Sequence, residues 1–287
     1  MSQSVKLNIL IAYPYFGERI FEFLKTQDPQ KFRLIIDSGA FSAYNSGHDI
    51  NIDDYIEFLK RIPKEWEIKV VQLDVIGDAQ KTLRNLQYMH QKGIKNLMPV
   101  FTKGEDFKNL DRLYEYGERI MFGGITFGSG NKNYITKFIK ENKGRPAHWL
   151  GFVDAPFIKT YKPASVDSSA QQASARFGSI ASYCGGGRIA TYDRKNLDEK
   201  FSANLARIGK SKSIIPRLES DRSWKGNFLE NNGKIEKGFG IYISTLSHIK
   251  RAIEVEKRLG TQIYMACALT PAVKASFYCF DELMGGK

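Results

Sequence analysis

Cysteine is rare in this sequence, with three residues among 287, and the three form an odd, widely spaced set. Such a set does not supply the disulfide framework of a small secreted domain, and it indicates a reducing compartment. No apolar run approaches the roughly 18 residues that a membrane-spanning helix needs. The first residues, MSQSVKLNILIAYPYF, lack the basic head and small-residue cleavage site of a signal peptide. We therefore expect a cytoplasmic protein with no membrane partner.

Acidic residues are also in deficit, because 43 Lys and Arg face 31 Asp and Glu, a net charge of +12 at pH 7. An excess of this size suits a polyanionic partner, since neutralised phosphates release counterions and drive binding. A charge that only keeps the protein in solution explains the composition equally well. The hydrophobic fraction of 42% is enough for a full core, and no low-complexity tract or internal repeat is present.

Short β-rich runs alternate with amphipathic helical patterns through the first 170 residues. Apolar residues recur at three- and four-residue spacing in the helical patterns 17–27, 52–62, 79–93, 107–117 and 133–144. The strand candidates are 7–13, 33–39, 68–75, 96–101, 119–125, 147–152 and 163–169. Strands separated by single helices favour a parallel sheet, and seven nearly suffice for an eight-stranded barrel. The sequence therefore predicts an α/β fold of the (β/α)8 TIM-barrel type.

The last third of the chain departs from this rhythm. Residues 185–240 are rich in Gly, Lys, Arg, Asn and Ser, and we interpret them as a basic surface excursion with a strand or helix inside. A strong helical pattern covers 243–260, and a further apolar stretch covers 262–281. The eighth strand is not located. We expect one barrel domain over 1–287 that carries this basic excursion.

Polar residues at strand ends are the candidates for function, because catalytic groups of parallel barrels lie where strands end and loops begin. Those positions hold Asp37, Asp74, the glycines 123–124, Gly151 and Asp167. Asp78 is a second acidic candidate near Asp74, but its position before a helical pattern predicts a helix cap.

Five short motifs in this order resemble those of the tRNA-guanine transglycosylase superfamily, most closely its DNA-acting branch, the phage-type 7-deazaguanine DNA transglycosylases. They are DSGAFS (37–42), QLDVIGD (72–78), GGITFGS (123–129), HWLGF (148–152) and SVDSS (165–169). The resemblance covers roughly residues 7–180. It implies a pentosyltransferase that replaces guanine in DNA by 7-cyano-7-deazaguanine or a related base, in the host cytoplasm if the chain is phage-encoded.

The resemblance assigns the two catalytic roles to carboxylates. Asp167 matches the nucleophilic aspartate, which would attack C1′ of the sugar and hold a covalent aspartyl–deoxyribose intermediate. Asp37 matches the second aspartate, expected to shuttle a proton to the departing base and from the incoming one. From the residues alone, each is equally an ordinary Asp that opens a turn after a strand.

The resemblance also assigns a base pocket. Asp74 would accept from the ring N–H and amino group of a guanine-like base, and Gly124, with Gly123, would donate a backbone N–H to its carbonyl. Glycine at a tight barrel turn is the structural alternative for the pair. The remaining substrate-binding candidates line the motifs and are Ser38, Gly39, Phe41, Leu150 and Gly151.

Two departures from the family pattern concern the base and a metal. The stretch PVFTKGE (99–105) lacks the expected glutamine, so Thr102 or Phe101 would have to substitute for it. The CxCxxC…H zinc motif is absent, and Cys184, Cys267 and Cys279 with His248 are poorly spaced for a rearranged site. We expect no metal and no cofactor.

Nucleic-acid contacts are expected mainly from the basic excursion, although a solvated basic loop is equally plausible for any one residue. Tyr192 and Trp224 lie among its cations, and Phe41, Tyr44 and Phe127 lie near the site motifs, where aromatic rings would stack on bases. The target guanine would have to be flipped out or single-stranded. The expected phosphate contacts are Arg176, Arg188, Arg194, Lys195, Lys212, Arg217, Arg222 and Lys225.

Three alternatives stay open at this point. The same chemistry on tRNA is disfavoured by the missing zinc motif and the short chain. A non-catalytic nucleic-acid-binding subunit is disfavoured by the presence of both Asp37 and Asp167. A small-molecule barrel enzyme with incidental positive charge would show no salt-sensitive binding to DNA. DNA and a free 7-deazaguanine base are the expected partners.

Overall fold

Parallel strands form the centre of the protein in a computed structural model that describes residues 5–123, 131–176, 178–221 and 238–285, with backbone only at 131 and 174–176. Nine strand segments make one sheet, in the order β4-β3-β2-β1-β11-β8-β7-β6-β5. Their bounds are β1 Leu7–Ala12, β2 Phe32–Asp37, β3 Ile68–Val71, β4 Leu97–Met98, β5 Val100–Phe101, β6 Ile120–Phe122, β7 Ala147–Trp149, β8 Ser165–Ser168 and β11 Gln262–Ala266.

The sheet closes on itself at Pro99. The two edge segments of the sheet, β4 and β5, are consecutive in the chain and only Pro99 separates them. Proline has no backbone N–H, so the strand ladder is interrupted there and one long strand becomes two short segments. The sheet is thus a nearly closed barrel of eight strands, which confirms the predicted (β/α)8 TIM-like fold.

Helices surround the barrel and follow its strands. Side-chain caps start several of them, and Asp78 accepts from the Lys81 N–H at 2.8 Å as the predicted cap of α4. No described helix is both long enough and apolar enough to cross a bilayer. The helices are α1 Glu18–Lys25, α2 Ala40–Ser46, α3 Ile52–Lys60, α4 Ala79–Gln91, α5 Leu110–Tyr114, α6 Asn131–Asn142, α7 Ala155–Tyr161, α8 Ala170–Arg176, α9 Glu199–Arg207, α10 Ile215–Ser220, α11 Phe239–Leu259 and α12 Thr270–Leu283.

The core has two parts because successive residues of a strand point to opposite faces. The larger part lies between the outer face of the barrel and the helices. The smaller part fills the barrel interior, so the barrel is a packed core and not a pore. Its buried members are Leu10, Ile35, Val71, Met98, Val100, Met121 and Tyr264.

The basic excursion contains structure of its own. An antiparallel hairpin of β9 (Ser179–Gly185) and β10 (Arg188–Asp193) precedes α9 and α10. The hairpin packs on α11, which is buried on most sides because α8 and α12 cover it as well. The described part of the excursion therefore belongs partly to the core, since α9 buries Phe201 and Leu205.

The eighth barrel strand is β11, which begins the apolar stretch 262–281. Its order in the sheet, between β1 and β8, completes the ring. Several predicted strands are longer than the observed ones: the stretch 68–75 contributes only 68–71 to the ladder, and 147–152 contributes only 147–149. The residues beyond these ends leave the ladder and form the loops of the carboxyl-terminal face.

Candidate active site

Strand alternation brings two aspartates to the carboxyl-terminal end of the barrel interior. Asp37 is the last residue of β2, two positions after the interior residue Ile35. Asp167 lies on β8, two positions after Ser165, and pairs in register with Tyr264 of the interior. Both side chains therefore share the inward face of their strands above an apolar layer.

Asp37 is held by the turn that follows β2. Its Oδ1 accepts the Gly39 N–H at 2.7 Å. Gly39 has a φ of +79°, and a Cβ there would lie 2.4 Å from Cδ of Pro14, so only glycine fits. The predicted importance of Gly39 thus has a steric cause, namely the close approach of the β1 and β2 loops.

The pKa of Asp37 is raised from 3.8 to about 7. Burial among protein atoms is the largest cause, and the negative charge of Asp74 adds to it. The Gly39 N–H opposes the shift, and the charge of Asp167 raises the pKa further. The three aspartates therefore lie within one electrostatic neighbourhood, and a pKa of about 7 lets Asp37 hold a proton near neutral pH.

Asp74 follows β3 and faces the same region. Its Oδ1 accepts from the Ser38 hydroxyl at 3.1 Å, and burial raises its pKa. Ser38 is itself buried, and its Oγ also accepts the Ala40 N–H at 3.3 Å. The predicted residues Ser38 and Asp74 are thus in direct contact, which fixes one carboxylate oxygen of Asp74 and orients the other.

Asp167 is buried, with 6% of its surface exposed, and one of its oxygens has two nitrogen neighbours within hydrogen-bond distance. The Gly151 N–H donates to Oδ1 at 2.6 Å, and Nε2 of His148 lies 3.1 Å from the same oxygen. Gly151 was predicted as a wall of the base pocket, whereas its backbone N–H contacts the candidate nucleophile. His148 is fully buried, and sequence reasoning gave it no role beyond membership of a motif.

Tyr55 is a further residue that sequence reasoning missed. It lies on the buried face of α3, and its hydroxyl donates to the carbonyl oxygens of Val71 at 2.9 Å and Ile36 at 3.3 Å. The hydroxyl thereby ties the ends of β2 and β3 together below Asp37 and Asp74. Burial and the charges of both aspartates raise its pKa well above 10.0. In the sequence it looks like any core aromatic of an amphipathic helix.

Three predicted pocket residues remain, namely Gly123, Gly124 and Leu150. Gly123 is buried at the end of β6. Its N–H donates to the Phe101 carbonyl at 3.2 Å, so this N–H links β6 to β5 in the barrel sheet. Leu150 is half-buried against the interior cluster. Gly124 and Phe127 lie outside the described residues.

The two residues expected to replace the missing glutamine are both engaged elsewhere. The ring of Phe101 is fully buried among Phe107, Phe122 and Phe138, so stacking on a base at this position is wrong. Thr102 bonds through N and Oγ1 to Glu105 Oε2, at 3.2 and 3.3 Å. The burial of Phe101 follows from strand alternation, because its neighbour Val100 faces the barrel interior and Phe101 therefore faces outward, towards the helices.

Exposed apolar side chains gather around the mouth of the barrel. Tyr15, Phe41, Tyr44 and Leu269 are 45 to 65% exposed and follow β1, β2 or β11. A cavity of about 340 Å³ opens beside them between the ends of β1, β8 and β11. Its lining includes Tyr15, Ser42, Ser169 and Gln172. This rim is where a planar ligand or nucleobase would find stacking surfaces.

The predicted phosphate contacts divide into three groups. Arg188, Lys195, Lys212 and Arg217 are exposed, although the Arg217 guanidinium lies over the Phe239 ring at 4.3 Å. Arg194 is buried, and its guanidinium donates to the Asp221 carbonyl, so the expectation of an exposed phosphate contact is wrong for this residue. The side chains of Arg176, Arg222 and Lys225 lie outside the described residues, as does Trp224.

The candidate metal ligands do not meet. Cys267 Sγ lies 3.8 Å from Ser276 Oγ, and Cys279 Sγ contacts the Tyr242 carbonyl at 4.0 Å. Among residues 5–123, 131–176, 178–221 and 238–285, no group of three or more His, Cys, Asp or Glu is placed to hold a metal ion. Compared with known proteins, the chain matches no protein-family model and no curated protein.

Proposed function

We propose that the protein is a base-exchange enzyme of the tRNA-guanine transglycosylase type, which replaces guanine in DNA by a 7-deazaguanine. One observation supports the proposal most directly: Asp37 has a pKa raised to about 7 by burial, by Asp74 and by Asp167, whereas Asp167 Oδ1 accepts the Gly151 N–H and lies 3.1 Å from His148 Nε2. An acid needs a carboxyl group that can hold a proton near neutral pH, and a nucleophile needs a carboxylate whose orientation is fixed.

In the first half-reaction, Asp167 would act through Oδ2, since Oδ1 is occupied by Gly151 and His148. An Oδ2 lone pair forms the bond to C1′, and the C1′–N9 bond breaks with its electron pair moving to the base. The proton of Asp37 passes to the departing guanine. Asp37 ends as a carboxylate and Asp167 as a glycosyl ester.

In the second half-reaction, the Asp37 carboxylate accepts the N9 proton of the incoming base. N9 then bonds to C1′, and the C1′–Oδ2 bond breaks with its electron pair returning to Asp167. The Gly151 N–H on Oδ1 stabilises the carboxylate that leaves. Two inversions at C1′ preserve the original configuration of the nucleotide.

Asp74 and Ser38 support guanine-like bases as the substrate class. Ser38 fixes one oxygen of Asp74 and leaves the carboxylate edge for a ring N–H and an amino group on one base. Adenine and the pyrimidines do not present that pair of donors on one edge. A 7-deazaguanine retains this edge, so one pocket accepts both the departing and the incoming base.

The rim and the charge support nucleic acid as the carrier of the exchanged base. The exposed rings of Tyr15, Phe41 and Tyr44 suit stacking on bases of a strand with a flipped-out nucleotide. The net charge of +12 suits its phosphates. We propose DNA over tRNA because the sequence lacks the zinc motif of the tRNA enzymes.

The test is incubation with DNA or tRNA and labelled 7-deazaguanines, followed by nucleoside analysis and by denaturing gels for a covalent adduct. Label in DNA and an adduct that Asp167→Asn abolishes are the expected results. Asp37→Asn should slow adduct formation roughly 10²- to 10⁴-fold, the range of general acid catalysis. Asp78→Asn is the matched control, because Asp78 caps the start of α4 after the same strand as Asp74.

Label in tRNA alone would move the substrate to tRNA and leave the chemistry intact. Binding of DNA without label or adduct would favour the non-catalytic subunit. If no nucleic acid takes up label from any of the bases, the proposed exchange is contradicted.

A further inference from the structure

A continuous column of polar groups crosses the interior of the barrel beside the apolar cluster. Arg119 Nη1 donates to Ser165 Oγ at 3.0 Å and to Gln262 Oε1 at 3.1 Å, at the amino-terminal end of the strands. Ser165 Oγ lies 2.8 Å from Nδ1 of His148, whose Nε2 lies 3.1 Å from Asp167 Oδ1. The column thus joins a half-exposed arginine to the candidate nucleophile.

Its setting makes the column unusual. His148 and Ser165 are both 0% exposed and stand among interior residues such as Met121 and Tyr264. A buried polar group destabilises the fold unless it is fully hydrogen-bonded. An apolar residue would fill the same layer without that desolvation penalty. Polar side chains in such a layer therefore indicate a functional role, because packing alone would favour apolar residues there.

Of the two neutral tautomers of His148, the donors and acceptors of the column fit one. Arginine donates and never accepts, so Ser165 Oγ accepts from Arg119, and its own hydrogen can point to His148 Nδ1. Nδ1 is then an acceptor, and the imidazole proton sits on Nε2, facing Asp167. The opposite tautomer would set the Nε2 lone pair against a carboxylate oxygen that already accepts the Gly151 N–H.

We infer that His148 is a positioning residue, held by Ser165 and Arg119 as the neutral Nε2–H tautomer, which fixes Asp167 Oδ1 and thereby aims Oδ2 at C1′. The inference rests on the proposed role of Asp167 as nucleophile. His148 does not touch substrate and transfers no proton. Its N–H stabilises the Asp167 carboxylate before attack and again when the glycosyl ester is broken.

Substitutions of His148 separate positioning from simple packing. The amide nitrogen of glutamine reaches about as far from the backbone as Nε2, and that of asparagine only as far as Nδ1. His148→Gln should therefore retain the donor to Asp167 and keep the rate of adduct formation within about tenfold of wild type. His148→Asn should lower that rate roughly 10- to 100-fold, as expected for a lost hydrogen bond to a charged group, without changing the KM for DNA.

The matched control is His90→Gln, an exposed histidine on α4, which should leave the rate unchanged. Equal rates for His148→Gln and His148→Asn, or an effect on KM alone, would overturn the inference. Circular dichroism and thermal unfolding identify any variant that fails to fold, and Ser165→Ala then provides a second variant in which His148 is intact.

A readout without catalysis makes failure of the inference distinguishable from failure of the proposed function. Nitrogen-15 NMR of the full chain reports the tautomer, and the signals of His148 are assigned by their loss in His148→Gln among four histidines. The expected result is a protonated Nε2 and an unprotonated Nδ1, with the Nδ1 resonance shifted by Ser165→Ala. A proton on Nδ1 would refute the inference even if base exchange is observed.

Discussion

Asp37 and Asp167 are the same residue type in different surroundings, and the surroundings set their chemistry. The N–H that Asp37 receives from Gly39 is outweighed by burial and by two neighbouring carboxylates. Asp167 receives the Gly151 N–H on one oxygen, and His148 Nε2 faces the same oxygen. At this scale the proposed division of roles follows from which donors face which oxygen.

The raised pKa of Asp37 predicts a pH-dependent stability. Between about pH 4 and pH 7, Asp37 is protonated in the folded protein and ionised in the unfolded chain. The free energy of unfolding therefore falls as the pH rises through this window. Asp37→Asn keeps an acceptor for Gly39 and removes this loss. At pH 8 the variant should be more stable than wild type by about 4 kcal/mol relative to their difference at pH 4.

Urea denaturation of both proteins at pH 4, 6 and 8 measures this difference. A gap between the two that stays constant with pH would show that Asp37 ionises in the folded protein as it does in the unfolded chain.

Single site residues were predictable where an ionisable residue stands at the end of a predicted strand. Asp37, Asp74 and Asp167 follow β-rich runs, and strand alternation with barrel geometry places them at one mouth. His148 and Tyr55 carried no such signal, because a buried histidine and a buried tyrosine are common core residues. Their partners, Ser165 and Val71, are 17 and 16 positions away, and only packing brings them together.

At the scale of elements, one buried side chain bridges the point where β4 and β5 meet. Gln72 Oε1 accepts the Val100 N–H at 3.2 Å, and Gln72 Nε2 donates to the Thr82 carbonyl at 3.0 Å. Gln72 is fully buried, and its own N–H donates to the Met98 carbonyl at 3.2 Å. It therefore bridges the break that Pro99 makes in the ladder.

Gln72→Leu should be strongly destabilising. It removes both side-chain bonds and leaves a buried N–H and a buried carbonyl without these partners, for a loss of about 2 to 5 kcal/mol. Gln91→Leu on the exposed end of α4 is the control, with an expected change within about 0.5 kcal/mol. Urea denaturation gives both values. A loss below about 1 kcal/mol for Gln72→Leu would mean that the bridge is not needed for closure.

Elements were predictable in kind but less so in extent. The alternation of β-rich runs with amphipathic helices gave the order of the first seven strands. The eighth strand was missed because β11 and α12 form one continuous apolar stretch, and a buried strand has no periodicity that separates it from a buried helix. Strand ends were overestimated where apolar residues such as Leu73 and Leu150 continue past the ladder into loops.

At the scale of the whole molecule, the positive charge predicts salt-dependent binding. If the excursion contacts phosphates, Lys195→Ala with Lys212→Ala should reduce the slope of log K against log salt for DNA by about 2, or one per contact. Both lysines are exposed. Fluorescence anisotropy with labelled DNA between 50 and 200 mM salt, roughly the range over which such effects are large, measures the slope.

Lys60→Ala with Arg61→Ala is the matched control, because it removes the same charge at the end of α3, on the side of the barrel away from the site. An equal effect of both pairs would assign the salt dependence to net charge alone. Absence of salt-sensitive binding in the wild type would favour a small-molecule barrel enzyme.

The sequence by itself determined the barrel and the three acidic positions at its mouth, because periodicity and strand-end placement are local properties of the chain. Tertiary structure alone decided the pKa of Asp37, the closure at Pro99 and the column from Arg119 to Asp167. Each of these depends on groups that are distant in sequence and adjacent in space, so burial and partner geometry had to be known before their chemistry was defined.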